Sequence, residues 1–445
     1  MRWRWPGDGC TSGEYVKIHK TKDDMMSKEV NQYLIPPATF GEKLKQVGPG
    51  IVVAATGAGT ADLITSLVIG TSFGMTFVWA VIVGAILKYF LNEGVGRLYL
   101  ETGQTIVDGW HSLGKWATGY FGVYAIIWGF VYGAAAASTS GMAMHAMFPI
   151  MPIWAWAIIH SIVGFILIWV GRYLLFEKVM TVLVGVMFIT IIGTAVMFLP
   201  SFGDFAFGFV PRIPEGSFIL MLGLIGGVGG TITMASYGYW LTEKGWKGKE
   251  WVSAMRLDAK VAYTLTALFT LAGLVIGAQF LAGTGVSIRD DEGLVKLADM
   301  LGAEFGTPMR WMFLVAFWSA AYTSLLGVWN GVPYLFADFM KTIRKKKGPG
   351  KEKVSTKEPA YRFYLAWLTF PPMVLFYFGK PVELIIIYGA LGSLFMPFLA
   401  LSLVLLLNAK NLESRNKLVS NTVLIGCLIM FGYLGISELV KILFG

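Results

Sequence analysis

The sequence predicts an all-α polytopic membrane protein: about eleven transmembrane helices in a five-plus-five inverted repeat with one helix added, the first and sixth of them discontinuous. Three observations carry that reading. The 445 residues are 56% hydrophobic, 15% aromatic and only 14% charged, with a mean hydropathy of +0.64. A soluble domain carries about a quarter of its residues charged. Apolar runs of about 20 residues, each long enough to cross a bilayer, recur along the chain. Two of these runs, five spans apart, are interrupted by glycines in their middles, which is the pointer to paired unwound helices around a central site.

Residues 1–44 are polar and mixed in charge, with no continuous apolar stretch of the signal-peptide kind, so they form a cytoplasmic tail before a transmembrane domain over 45–445. Lys17, Lys20, Lys22, Lys43 and Lys45 make the tail basic, and Trp3 and Trp5 suit either a disordered start or a membrane interface. The spans fall at 46–70, 74–99, 118–147, 152–171, 176–199, 218–241, 258–282, 309–340, 361–378, 382–407 and 418–442. With the N-terminus inside, the loops 243–257, 341–361 and 408–417 are cytoplasmic, and 200–217 and 283–308 are external. The inside set then holds roughly five times the Lys and Arg of the outside set, so the N-terminus is expected inside and the C-terminus outside.

The net charge of +9 is gathered in loops, among them Arg344-Lys345-Lys346-Lys347, and no aromatic-interleaved basic module for nucleic acid is present. The external loop 283–308 carries Asp290, Asp291, Glu292, Asp299 and Glu304, with helical periodicity from Glu292 to Leu301. It is either an ordinary solvated loop or a cation-concentrating entrance. Cys10 and Cys427 stand in unrelated contexts, which excludes a disulfide framework or a cysteine-rich metal site.

The first span carries Thr56-Gly57-Ala58-Gly59-Thr60 in its middle, followed at once by a carboxylate, Asp62. Glycines weaken the helix where it is deepest. An ionisable group at that depth needs a cavity, a partner or a substrate. The sixth span repeats the pattern with Gly223, Gly226, Gly227, Gly229 and Gly230. Close helix packing is the competing use of such glycines. The second span holds Lys88, Asn92, Glu93, Arg97 and Glu101, a polar stripe at helical spacing that reaches toward Asp258 or Lys260 on the seventh span. It is either a structural ion-pair network or a gate that opens during alternating access.

At these residues the chain resembles the natural resistance-associated macrophage protein (NRAMP) family of divalent-metal transporters, over roughly residues 40–410. Span one opens with Gly48-Pro49-Gly50 and runs into Thr71-Ser72-Phe73-Gly74, like the family's GPG opening and SFG ending. Similar spacing continues in Met255-Arg256-Leu257-Asp258, in Ser319 to Ser324 and in Phe395-Met396-Pro397-Phe398. The family's Asp-Pro-Gly-Asn reads Gly59-Thr60-Ala61-Asp62, and its Met-Pro-His reads Met234-Ala235-Ser236. A span-ten glutamine of the family falls on Gly389. Span three, with Gly133 to Ser140 and no carboxylate, departs from the family's acidic lining and leaves proton coupling open. His145 and His160 read as satisfied histidines more readily than as a proton relay.

The resemblance implies a LeuT-like, APC-type fold in a prokaryotic inner or plasma membrane. It implies alternating access and a metal held by Asp62, the Met234 thioether and the carbonyls of Thr56, Gly57 and Thr231, with Gly59 and Ser236 at positions where the family has side-chain ligands. One carboxylate, one thioether and carbonyls suit a manganese-, iron- or cobalt-like ion better than calcium or magnesium. Asp62 has a second reading as an acceptor for the freed amides of the following half-helix, and Met234 as apolar filling. The metal is cargo, and neither a cofactor nor an obligate protein partner is expected. A small organic substrate such as an amino acid is the alternative on the same fold. No HExxH, no nucleophile–base pair and no phosphate-binding GxxxxGK[ST] loop is present, which argues against an enzyme and against an ATP-driven pump.

Overall fold

The computed structural model describes residues 35–170, 173–286, 293–344, 354–377, 381–409 and 415–444. Most of the N-terminal tail, including Trp3, Trp5, Cys10, Lys17, Lys20 and Lys22, lies outside the described residues. So do Asp290, Asp291, Glu292 and Lys345 to Lys347.

The described residues are helical, with no strand among them. A short helix α1 (Phe40–Gln46) is set by a capping box: Thr39 Oγ1 accepts from the Glu42 N–H, and the Glu42 carboxylate accepts from the Thr39 N–H. Two helices fill the first span, α2 (Pro49–Gly57) and α3 (Thr60–Phe73), with Pro49 in the first turn of α2, where its missing N–H leaves no helical bond unmade. There follow α4 (Val78–Thr102), α5 (Ile106–Leu113), α6 (Lys115–Met147), α7 (Ile153–Trp169), α8 (Tyr173–Met197) and α9 (Phe202–Phe207). The sixth span contains α10 (Phe218–Gly227) and α11 (Tyr237–Glu243), joined by a 3-10 turn over Ile232–Ser236. The rest is α12 (Val252–Ile276), α13 (Gly293–Phe305), α14 (Thr307–Ile343), α15 (Pro359–Thr369), α16 (Pro381–Leu407) and α17 (Leu418–Phe444).

Seven helical stretches among the described residues are long and apolar enough to cross a membrane, and α3 with α4 counts as one of them. Ile153–Trp169 and Leu394–Leu407 are shorter apolar helices. The expected ninth span at 361–378 is not one helix: α15 stops at Thr369, and Pro371–Tyr377 is 3-10. Pro371 and Pro372 explain the stop, since proline has no N–H to donate and drives the preceding residue out of the helical region. The helix α13, in the loop expected outside, begins at Gly293 and runs to Phe305, four residues beyond the periodicity.

Burial separates the centre from the periphery. In α14, 72% of the most apolar window is buried, against 44% in α8, whose Val182 and Ile189 point outward with Ile162 and Ile166 of α7. Outward apolar side chains on peripheral helices are what a lipid-facing belt requires. At the centre, α12 packs against α2, α3 and α4, while α14 packs against α2, α6 and α8. The first broken helix is thus clasped between α12 and α14.

Candidate metal site between two broken helices

Between α2 and α3 the chain leaves helical geometry at Ala58 (φ −78°, ψ 70°) and Gly59 (φ −99°, ψ −174°). Between α10 and the 3-10 turn it leaves at Val228, and Gly229 and Gly230 follow with φ of 78° and 77°. That left-handed region is open to glycine and strained for other residues. The two breaks touch: a Cβ on Gly57 would stand 2.6 Å from the carbonyl carbon of Gly229. Backbone meets backbone because Gly57 has no side chain, while the missing Cβ of Gly229 faces Tyr263.

Asp62 joins the breaks. It is 5% exposed, its Oδ2 accepts from the Gly59 N–H at 3.3 Å, and its Oδ1 lies against the second break, 3.1 Å from where a Cβ on Gly227 would stand. Lys88, wholly buried on α4, donates from Nζ to the Gly230 carbonyl and is the charged neighbour of Asp62. Its ammonium also lies 5.7 Å from the centre of the Phe431 ring on α17, with Cys427 beside it. A buried carboxylate held by the first break and a buried ammonium held by the second thus stand near each other, where a charge needs compensation.

The expected carbonyl ligands already hold hydrogen bonds. Thr56 O accepts from Ser324 Oγ at 2.9 Å, Gly57 O from the Gly59 N–H at 2.9 Å and Thr231 O from the Met234 N–H at 3.2 Å. A carbonyl oxygen keeps a second lone pair for a metal. Met234 is fully buried in the 3-10 turn. Ser236 is buried against Gly331 of α14, and its hydroxyl has no hydrogen-bond partner among the described residues. At Gly59, where the family carries its aspartate, a Cβ would run into Ser324 Oγ, so the serine hydroxyl occupies that place. No group of three or more His, Cys, Asp or Glu converges among the described residues.

The polar stripe of the second span divides. Lys88 turns into the site. Asn92 is fully buried, and neither amide atom has a partner among the described residues. Glu93 pairs with Arg97 at 3.1 Å and with Arg256 at 2.9 Å, and Arg97 also bonds Asn416. Span seven therefore answers the stripe with Arg256, in place of the expected Asp258 or Lys260. Asp258 accepts from the Gly48 N–H at 3.0 Å and from the Tyr237 hydroxyl at 2.6 Å, which makes it the cap of α2. The reason is positional: Gly48-Pro49-Gly50 leaves helix-start amides unpaired, and a carboxylate is the strongest acceptor for them.

His145 Nδ1 lies 2.7 Å from the Met151 carbonyl. His160 has both nitrogens engaged, Nδ1 at 2.7 Å from the Trp156 carbonyl and Nε2 at 2.8 Å from Trp318 Nε1. An indole N–H only donates, so Nε2 is the acceptor and Nδ1 carries the proton, which fixes a neutral structural histidine.

Sequence reasoning assigned no role to Ser324, Tyr132, Tyr388, Tyr237 or Arg256. Tyr132 meets Tyr388 edge-on with ring centres 5.2 Å apart, and Ser324 Oγ donates to the Thr56 carbonyl. The signal was present for Ser324, in the family-like stretch from Ser319, and for Tyr132, just before the small-residue run of span three. For Arg256 and Tyr237 the pairing depends on how three helices cross.

A helical membrane protein with two interrupted helices that meet at a buried charged pair has the layout of a secondary transporter. The chain belongs to the natural resistance-associated macrophage protein-like family of divalent-metal transporters, whose model matches residues 50–441. No curated protein matches it. Among solved structures it is similar to the Eremococcus coleocola manganese transporter in a histidine-to-alanine mutant form, with a TM-score of 0.72 and 15% identity over 92% of this chain and 90% of that one. The same transporter with an aromatic bis-isothiourea compound gives a TM-score of 0.72 at 15% identity, over 92% and 89%. A nucleobase-cation-symport-1 family transporter in a closed conformation gives 0.53 at 12% identity, over 88% and 92%. At these identities the likeness is one of fold.

Proposed function

We propose that the chain is a secondary transporter that carries a divalent metal cation by alternating access through the meeting point of the two breaks. Asp62 supplies the charge, and the carbonyls of Thr56, Gly57 and Thr231 with the Met234 thioether complete a manganese-, iron- or cobalt-like shell. The proposal includes eleven spans in an inverted five-plus-five repeat with both broken helices discontinuous, an inside N-terminus, an outside C-terminus and no cofactor. The supporting observation is that the Asp62 carboxylate accepts from the Gly59 N–H of one break and lies against the other, its Oδ1 3.1 Å from where a Cβ on Gly227 would stand. A cation on that carboxylate bears on the two elements whose relative position changes in alternating access, so its binding energy can differ between the states. Manganese uptake into proteoliposomes tests this: Asp62→Ala should lower uptake at sub-saturating metal by about tenfold or more, the loss of one charge-assisted contact. Uptake equal to that of the unaltered chain sinks the ligand role.

One observation favours the organic-substrate reading. A carboxylate ligand would be repelled by Asp62 alone, but Lys88 supplies the cation it would need, so a zwitterion could place one end on each. Inhibition of manganese uptake by amino acids is the outcome that selects this reading.

A further inference from the structure

We infer that Lys88 is the resident cation of the site: its ammonium fills the place a metal would take, and metal entry moves it one helical turn onto the amide of Asn92. The inference rests on the metal-transport reading above and deepens it by naming what regulates metal entry.

Three observations converge. The Lys88 ammonium bonds the Gly230 carbonyl in one break and neighbours the Asp62 carboxylate anchored to the other, and these are oxygen donors of the kind a divalent ion needs. The remaining freed carbonyls are engaged by uncharged donors, Ser324 Oγ on Thr56 and backbone N–H groups on Gly57 and Thr231. Lys88 is thus the one described group at the breaks whose charge directly opposes a metal. A divalent ion at Asp62 would face the ammonium in a low-dielectric interior, where like charges repel far more than in water. The lysine must leave the Gly230 carbonyl for the metal to bind.

Its destination is visible. Asn92 is four residues on along α4, fully buried, with Oδ1 and Nδ2 both unpartnered among the described residues. Residues four apart on a helix are surface neighbours, about 5–6 Å between Cβ atoms. The Asn92 side chain leans toward the helix N-terminus and hence toward Lys88. A buried amide with no partner is rare and needs an explanation. A landing place for a displaced ammonium supplies one. The alternatives around Lys88 are poorer acceptors: the Phe431 ring and the Cys427 thiol on α17. Glu93, the next carboxylate along α4, is held by Arg97 and Arg256.

Titration of the purified full chain with Mn2+, read by calorimetry and by the shift in thermal unfolding, tests the inference. Lys88→Met should bind Mn2+ at least about tenfold more tightly than the unaltered chain, while Lys88→Arg, which keeps the charge, should not. Asn92→Leu should weaken Mn2+ binding severalfold in the presence of Lys88 and change it little on top of Lys88→Met, a non-additivity that a merely structural role would not produce. If Lys88→Met does not fold, Lys88→Gln gives the neutral side chain with a donor left for Gly230. Mn2+ binding to the neutral variant no tighter than to the unaltered chain overturns the inference, as does an equal Asn92→Leu effect in both backgrounds. The transport reading fails separately: the unaltered chain would take up no Mn2+ in proteoliposomes even though the neutral variant binds it tightly.

Discussion

Asp258 gives the perturbation whose size is best fixed by geometry. Its fully buried carboxylate accepts from the Gly48 N–H at 3.0 Å and from the Tyr237 hydroxyl at 2.6 Å. It therefore fastens the start of α2 to α12 and to the first residue of α11. Hydrogen bonds to a charged acceptor contribute about 1.5–3 kcal/mol each, and an anion at a helix N-terminus up to about 2 kcal/mol. These terms are not additive, and removing one side of a buried charged contact typically costs about 3–5 kcal/mol. Asp258→Ala leaves two donors facing an apolar methyl. If the loss falls on α2 docked against α12, release of the N-terminal end of α2 becomes about 150- to 5,000-fold more populated, at 1.36 kcal/mol per decade. Asp258→Asn keeps one acceptor oxygen and should lose about 1–2 kcal/mol.

The assay is thiol modification in membranes of a single cysteine at Ile51, half-buried one turn into α2, in a chain with Cys10→Ser and Cys427→Ala. Labelling should be fastest with Asp258→Ala, intermediate with Asp258→Asn and slowest with Asp258 intact. Equal rates in all three, from protein that remains monodisperse, would refute the cap as the fastening of α2.

Two further predictions concern single positions. Gly57→Ala places a Cβ at 2.6 Å from the Gly229 backbone and should lower stability by about 1–3 kcal/mol, seen as a drop in the unfolding midpoint in detergent. Gly59→Ala meets only the rotatable Ser324 hydroxyl and should cost less than about 1 kcal/mol. Outside the spans, the backbone N–H groups of Thr39 and then Ala38 hold the Glu42 carboxyl below the usual glutamate range. A depressed carboxylate contributes above its unfolded value, about 4.3, and its contribution disappears as pH falls through the lower folded value. Hydrogen exchange of 40–46, corrected for intrinsic rates, should therefore show α1 protected at neutral pH and released in acid. Glu42→Gln should lose that pH dependence.

The fold was legible because its signals are local. Apolar length locates the helices, and glycine pairs locate the breaks at Ala58–Gly59 and Val228–Gly230, where no side chain intervenes between two backbones. The ninth span was overextended because hydropathy does not register that Pro371 and Pro372 end a helix. In the site, Asp62 was legible as a carboxylate beside a break. The polar stripe of α4 was legible as a set, but not the division of its members. Helical spacing says that Lys88, Asn92 and Glu93 share a region of α4, and not which neighbour each side chain meets. Lys88 turning to Gly230, Glu93 to Arg256, and Asp258 to Gly48 all follow from helix crossings.

The displacement of the acid from position 59 to 62 and the lysine at 88 belong to one electrostatic arrangement. Positions three apart on a helix share a face, so the carboxylate at 62 still reaches back to the Gly59 N–H, while Ser324 fills the space left at Gly59. A buried carboxylate without a counter-charge is strongly unfavourable, so a site with acids alone is least stable when it is empty. With Lys88 beside Asp62, the empty site is already compensated. Metal then replaces an internal cation instead of relieving an unpaired charge, and the free-energy difference between loaded and empty carrier narrows. A narrower gap means weaker binding and easier release, the direction required of a carrier that must reset without cargo.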